Sequence, residues 1–152
     1  MAISRGSGTE IIRCASFENV TSTLVKMIIG EQHHIYTVLS IIIQGRTRTG
    51  TEKGYLQLFS YDVLGGTTAR DIHLGIIEVA SGETFVWNDK FSFNGHEPVD
   101  FTATLTNDAA GIVKQDAIAD QGSGVIQYLA LQTDSTNTTY DVVITYIDQN
   151  NA

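Results

Sequence analysis

Positive charge is scarce in this chain: nine Lys and Arg stand against seventeen Asp and Glu in 152 residues, a formal net charge of −8. Binding through a phosphate backbone needs clustered cations, so nucleic acid is not an expected partner. The one basic cluster, Arg46, Arg48 and Lys53 in a Thr/Gly segment, reads as a solvated loop after a buried strand rather than a phosphate site. Cysteine is nearly absent. The single Cys14 excludes an internal disulfide and reads as a small buried hydrophobe. A single proline, Pro98, and the lack of any Pro/Ser/Gly-rich tract leave no interdomain linker. No apolar run reaches the roughly 18 residues that a membrane-spanning helix needs, so no membrane contact is expected. The stretch Met1 to Gly8 lacks the apolar segment of a secretory signal and reads as an arm, flexible or ordered by a partner, ahead of one domain at residues 9–152.

What fills the sequence instead is a series of short runs rich in Val, Ile, Thr, Tyr and Phe, separated by Gly, Asn, Asp and Ser. The runs Glu10–Ala15 and Ser22–Ile29, with a polar turn near Glu18 and Asn19 between them, fit a strand pair. His34–Ile43 is almost continuously apolar or β-branched, as expected of a central strand covered on both faces or forming a subunit contact. Further strands are expected at Tyr55–Tyr61, Ile72–Val79, Thr84–Trp87, Lys90–Phe93, Ile126–Thr133 and Tyr140–Ile147. In the last of these Tyr140, Val142, Ile144 and Tyr146 share one face, as Phe91 and Phe93 do in theirs. Ala109–Asp120 suits a short helix or an ordered loop better than a strand. About eight strands and at most one short helix point to an all-β antiparallel sandwich or jelly-roll-like domain.

The chemistry-bearing residues do not assemble into a known pattern. His33 and His34 are adjacent and point to opposite faces of an extended chain, so a structural or contact role outweighs metal ligation. Neither His73 nor His96 has a metal-ligating residue at zinc-site spacing, and a hydrolase built on His96 with Glu97 or Asp100 lacks a nucleophile. Asn107, Asp108, Asp116 and Asp120 do not follow the EF-hand spacing. Trp87 beside Asn88 and Asp89, with Tyr55 or Tyr61, offers a sugar-stacking alternative, although a core-anchoring Trp beside a polar turn is the commoner arrangement. The sequons Asn19-Val20-Thr21 and Asn137-Thr138-Thr139 read as chance matches. No catalytic residue, metal or cofactor is expected.

Several phrases taken together resemble a group of small virion structural proteins of tailed phages, especially those infecting marine cyanobacteria. They are Met1-Ala2-Ile3-Ser4-Arg5-Gly6 leading to Glu10-Ile11-Ile12-Arg13, then Gln32 to Ser40, Thr84 to Phe91, and Thr145 to Asn150. The resemblance implies a passive component of a virion, repeated many times, that binds neighbouring subunits. Within that class a capsid decoration or cement protein on the major capsid protein is favoured, with a tail, neck or baseplate accessory protein or a carbohydrate-binding attachment module as alternatives. Expected partner contacts are Ile3, Arg5, His33, His34, Tyr36 and Trp87. The apolar surface of His34–Ile43 and of the final strand implies a homo-oligomer.

Overall fold

The structure, a computed structural model, describes residues 6, 8–62, 65–98, 108–120 and 124–151, apart from the side chains of 67–70 and 117. Its elements are β1 (Thr9–Val20), β2 (Val25–Ile29), β3 (His34–Thr47), β4 (Gly54–Asp62), β5 (Thr67–Ile77), β6 (Thr84–Trp87), β7 (Phe91–Asn94), β8 (His96–Glu97), α1 (Ala109–Asp120), β9 (Val125–Ile126), β10 (Tyr128–Thr133) and β11 (Thr139–Asn150). The domain is all-β, with one short helix among the described residues. Sheet A has the order β1-β11-β3-β6, with β7 also paired to β3. Sheet B has the order β2-β10-β4-β5, and β8 with β9 forms a small third sheet. Every pairing is antiparallel.

Alternation of side chains decides which face of each strand enters the space between the sheets. From β11 come Tyr140, Val142, Ile144 and Tyr146, and from β3 come Tyr36, Val38, Ile41 and Ile43. Leu56, Leu129, Leu131, Met27 and Ile28 meet them from sheet B, all buried. Each such aliphatic side chain is worth about 1.5–3 kcal/mol when fully removed from water. A polar contact crosses this core. The Tyr140 hydroxyl donates to the Ile77 carbonyl at 3.2 Å and accepts from the Val79 N–H at 3.4 Å, tying the centre of sheet A to the chain leaving β5. Gly54 is where β4 passes beneath that ring, since a Cβ there would lie 2.4 Å from Tyr140 Cε2.

Strand breaks occur where a polar residue has a better use than continuing the ladder. β6 pairs with Ile41–Gln44 and β7 with Ile35–Val38, so Asn88, Asp89 and Lys90 span what Leu39 and Ser40 span opposite. This is a polar bulge in an edge strand, a common protection against edge pairing. Gln127 separates β9 from β10 because its buried amide serves several backbones. It accepts from the Tyr61 N–H at 3.2 Å and donates to the Asn94 carbonyl at 3.0 Å, while its own backbone bonds Gly30 and Gly95. Gly95 is required by contact rather than by turn geometry, because a Cβ there would lie 2.0 Å from the Glu31 carbonyl oxygen.

Three expectations need correction. β1 and β2 are not a pair: β1 joins β11 in sheet A and β2 joins β10 in sheet B, because Thr21–Leu24 carries the chain across from one layer to the other. Cys14 is exposed, not buried, since its place in β1 turns it to the outer face of an edge strand. β3 is buried on its inner face only, with Ile35 and Ile42 exposed at 37% and 41% on the outer one.

Candidate interaction surface

The outer face of sheet A follows from the register. Three consecutive rows cross it: Ile12, Ile147, Thr37 and Ser92; then Cys14, Thr145 and Ser40; then Ser16, Val143, Ile42 and Val86. None of these eleven residues carries a charge, in a chain with 26 charged residues. Ile12, Ile42 and Val86 are 73%, 41% and 47% exposed. Thr37 and Ser92 hydroxyls meet at 3.0 Å, and Thr145 Oγ1 donates to Cys14 Sγ at 3.6 Å. A face of β-branched and hydroxyl side chains without charge suits dry contact with another protein surface, because no ion must be desolvated.

A second feature lies where the two sheets part. A cleft of about 310 Å³ is lined by Arg13 and Phe17 of β1, Lys26 to Ile29 of β2, Glu31, Tyr36 and Tyr146. Further along the same side of β1 as Arg13, Ile11 is 41% exposed. The Arg13 guanidinium lies 5.6 Å from the centroid of the Tyr146 ring, whereas Lys26 Nζ lies 4.3 Å from that of Tyr128, a ring that alternates with the buried Leu129 and so faces out of sheet B. Burial raises the Tyr146 hydroxyl above the ordinary phenol range, the nearby Arg13 opposing it, and burial likewise raises Tyr36.

His34 closes one end of this region. Its Nδ1 is 2.7 Å from Asp148 Oδ1, and its Nε2 is 3.5 Å from Glu31 Oε2. The two carboxylates engage different ring nitrogens, so the arrangement orients the ring rather than gathering ligands around one ion. No group of three or more His, Cys, Asp or Glu placed to hold a metal occurs among the described residues.

Of the residues expected to meet a partner, Ile3 and Arg5 lie outside the described residues. His33, His34 and Tyr36 come together at the start of β3. His33 is half-buried at a positive φ of 65°, its carbonyl accepting from the Asn151 N–H, while the buried Tyr36 hydroxyl accepts from the Glu31 N–H at 3.0 Å. Trp87 is not with them. It pairs with Ile41 further along β3, packs against the core and Phe91, and donates Nε1 to the Asp89 carbonyl at 2.8 Å. Of the other aromatic rings proposed for sugar stacking, Tyr55 is also engaged, 5.1 Å from His73 and bonded to Asp134.

The basic cluster is paired off rather than open to an anion. Arg46 meets Asp141 at 3.2 Å, while Arg48 and Lys53 share Glu78 at 3.4 and 3.2 Å. Asp108 caps α1 by accepting from the Gly111 N–H, and Asp116 and Asp120 are exposed on that helix; Asn107 lies outside the described residues. His96 Nδ1 is buried without a hydrogen-bond partner among the described residues, Glu97 accepts from Asn94 at 2.9 Å, and Asp100 is outside the described residues. Arg13, Lys26, Glu31 and the uncharged rows of sheet A were not singled out by the sequence. Parity along β1 alone does not reveal which of Ile11 and Ile12 lies on the outer face of sheet A.

No protein-family model matches the chain, and no curated protein matches it. Among solved structures it is similar to a chain of the disulfide-linked pili formed by Bacillus endospore appendages, at 12% identity and a TM-score of 0.43, covering 100% of this chain and 97% of that one. It is also similar to a chain of the T13 IBDV viral particle (7% identity, TM-score 0.39, 99% of this chain and 37% of that one). A third similarity is to Maize Chlorotic Mottle Virus (10% identity, TM-score 0.30, 91% of this chain and 94% of that one).

Proposed function

We propose that the chain is a non-enzymatic structural subunit that works by binding neighbouring subunits, and that it serves as a decoration or cement protein on the head of a tailed phage. The observation that carries the binding reading is the uncharged, partly apolar outer face of sheet A, eleven residues in three unbroken rows. A monomer with no use for such a face gains solubility by charging it. The phage reading rests on the resemblance of the phrases named above; Glu10–Arg13, His34–Ser40, Thr84–Trp87 and Thr145–Asn150 lie in strands of sheet A, and Met1–Arg5 lie outside the described residues. In this reading the partner is the major capsid protein, a second copy of the chain contributes further contacts, and the place of work is the virion.

Copy number tests it. Quantitative mass spectrometry of purified virions is expected to return hundreds of copies, in fixed ratio to the major capsid protein. A small multiple, in ratio to a tail component, overturns the decoration role in favour of a tail, neck or baseplate accessory protein. Specific binding on a glycan array, lost on Tyr55→Ala, would instead establish the attachment-module alternative.

A further inference from the structure

The far edge of β5, in sheet B, is distinct from the outer face of sheet A. We propose that it is a contact between two copies of the chain, in which the β5 strands pair antiparallel about a two-fold axis at Ile72 and join the two copies of sheet B into one. This deepens the reading of the chain as a subunit that binds neighbours, and rests on it.

Backbone is the first argument. β5 ends the order of sheet B and pairs with β4 alone among the described strands, so its other edge carries a row of N–H and C=O groups. Such an edge takes a strand from another chain unless something blocks it. Two other edges of the sandwich are interrupted or short: Asn88–Lys90 bulges out between β6 and β7, and β2 has five residues. β5 contains no proline, and its regular run against β4, Arg70–His73, lies between two register shifts, so the new ladder is short and centred on that run.

Self-complementarity is the second argument, and it identifies the occupant. A two-fold axis normal to the sheet keeps each face continuous across both copies, so a residue meets only residues of its own parity. With the axis at Ile72, that side chain lies opposite Ile72 of the second copy, and Asp71 lies opposite its His73, twice over. Ile72 is on the inner side, paired with Leu58 that packs against the core, yet it is 52% exposed, so the contact extends the core across the axis. Asp71 and His73 share the outer side, their side chains 47% and 43% exposed, and the Tyr55 ring lies 5.1 Å from that of His73. Within one strand His73 Nε2 is 3.3 Å from Asp71 Oδ2, which leaves Nδ1 and Oδ1 for the neighbour. Directly opposite residues stand about 5 Å apart at Cβ, within reach of such a pair. Moving the axis by one residue sets Asp71 against Asp71 or His73 against His73, so the charges also fix the register. β1, the other long edge, has no such match, because its Glu10 and Arg13 lie on opposite faces.

The test is analytical ultracentrifugation of the full chain at physiological ionic strength, from micromolar concentration to about 1 mM, where a monomer–dimer equilibrium is expected. D71K sets a cation against His73 and H73D sets an acid against Asp71, so each alone is expected to raise the dimer dissociation constant roughly tenfold or more. An equimolar mixture of the two variants restores an attractive pair at both places, and is expected to bring dimerisation back to within about threefold of the unsubstituted chain. K90E, a charge change on an edge of sheet A, is expected to leave it within about twofold. If either variant does not give a folded spectrum, Ile72→Lys takes its place and is expected to weaken the dimer as strongly. A strict monomer at about 1 mM, a dimer indifferent to these substitutions, or no recovery on mixing overturns the proposal. So does a dimer broken by Ile42→Lys and not by D71K, which leaves the neighbour-binding reading standing; failure of that reading is seen separately, in the copy number.

Discussion

At the scale of single residues, the fold depends on a few polar groups placed where apolar ones would pack as well but leave backbone unpaired. Tyr140 is the clearest case, fully buried with its hydroxyl between Ile77 and Val79. Tyr140→Phe keeps the ring and removes an acceptor from a buried N–H, so it is expected to cost about 1–3 kcal/mol in denaturant unfolding. Gly54→Ala, which forces a methyl into the same ring, is expected to cost about 1–3 kcal/mol by overpacking, and the two changes are expected not to add because they share one contact. An unchanged midpoint for either would show that this end of the core is looser than its packing implies.

At the scale of elements, strand identity was legible in the sequence and strand partnership was not. Alternation in β11 put Tyr140, Val142, Ile144 and Tyr146 on one face, and all four are buried, because a period of two depends only on local backbone geometry. The pairing of β1 with β11 joins opposite ends of the chain, and nothing local distinguishes it from the nearer alternative β2. The same limit hid the candidate surface: the uncharged rows draw single residues from five strands, and the cleft is lined by residues of β1 and β2 that a change of sheet brings together. Helix α1 was legible as a departure from the β pattern, Ala-rich and capped by Asp108.

The loop ends also have an electrostatic signature. The Thr138 and Ser135 hydroxyls hold the Glu52 carboxyl below its ordinary range, and the Tyr55 hydroxyl with the Lys53 N–H does the same for Asp134. Both folded-state values are lowered, so the ionised forms favour the native loop above the unfolded carboxylate range, and that contribution is lost as pH falls through the folded values. Acidification below about pH 4 is therefore expected to release the 49–53 loop from the 134–138 turn, seen as NMR line broadening confined to those segments. Simultaneous loss of the whole spectrum would contradict a local clamp.

At the scale of the molecule, the inner faces of the two sheets make the domain, and in the proposed function the outer face of sheet A meets a neighbour. Substitution there separates stability from assembly. Ile42→Lys, at an exposed position, is expected to shift the unfolding free energy by no more than about 0.5 kcal/mol while abolishing incorporation into particles. A variant that unfolds, or one that assembles normally, would place the residue differently.

The central claim, that the outer face of sheet A is covered by another subunit, is tested most directly by an electron-microscopy map of the native particle at side-chain resolution. The account predicts protein density against Ile12, Ile42 and Val86, within van der Waals distance and contributed by another chain. A map in which that face looks onto open solvent, with every contact made elsewhere, would contradict it.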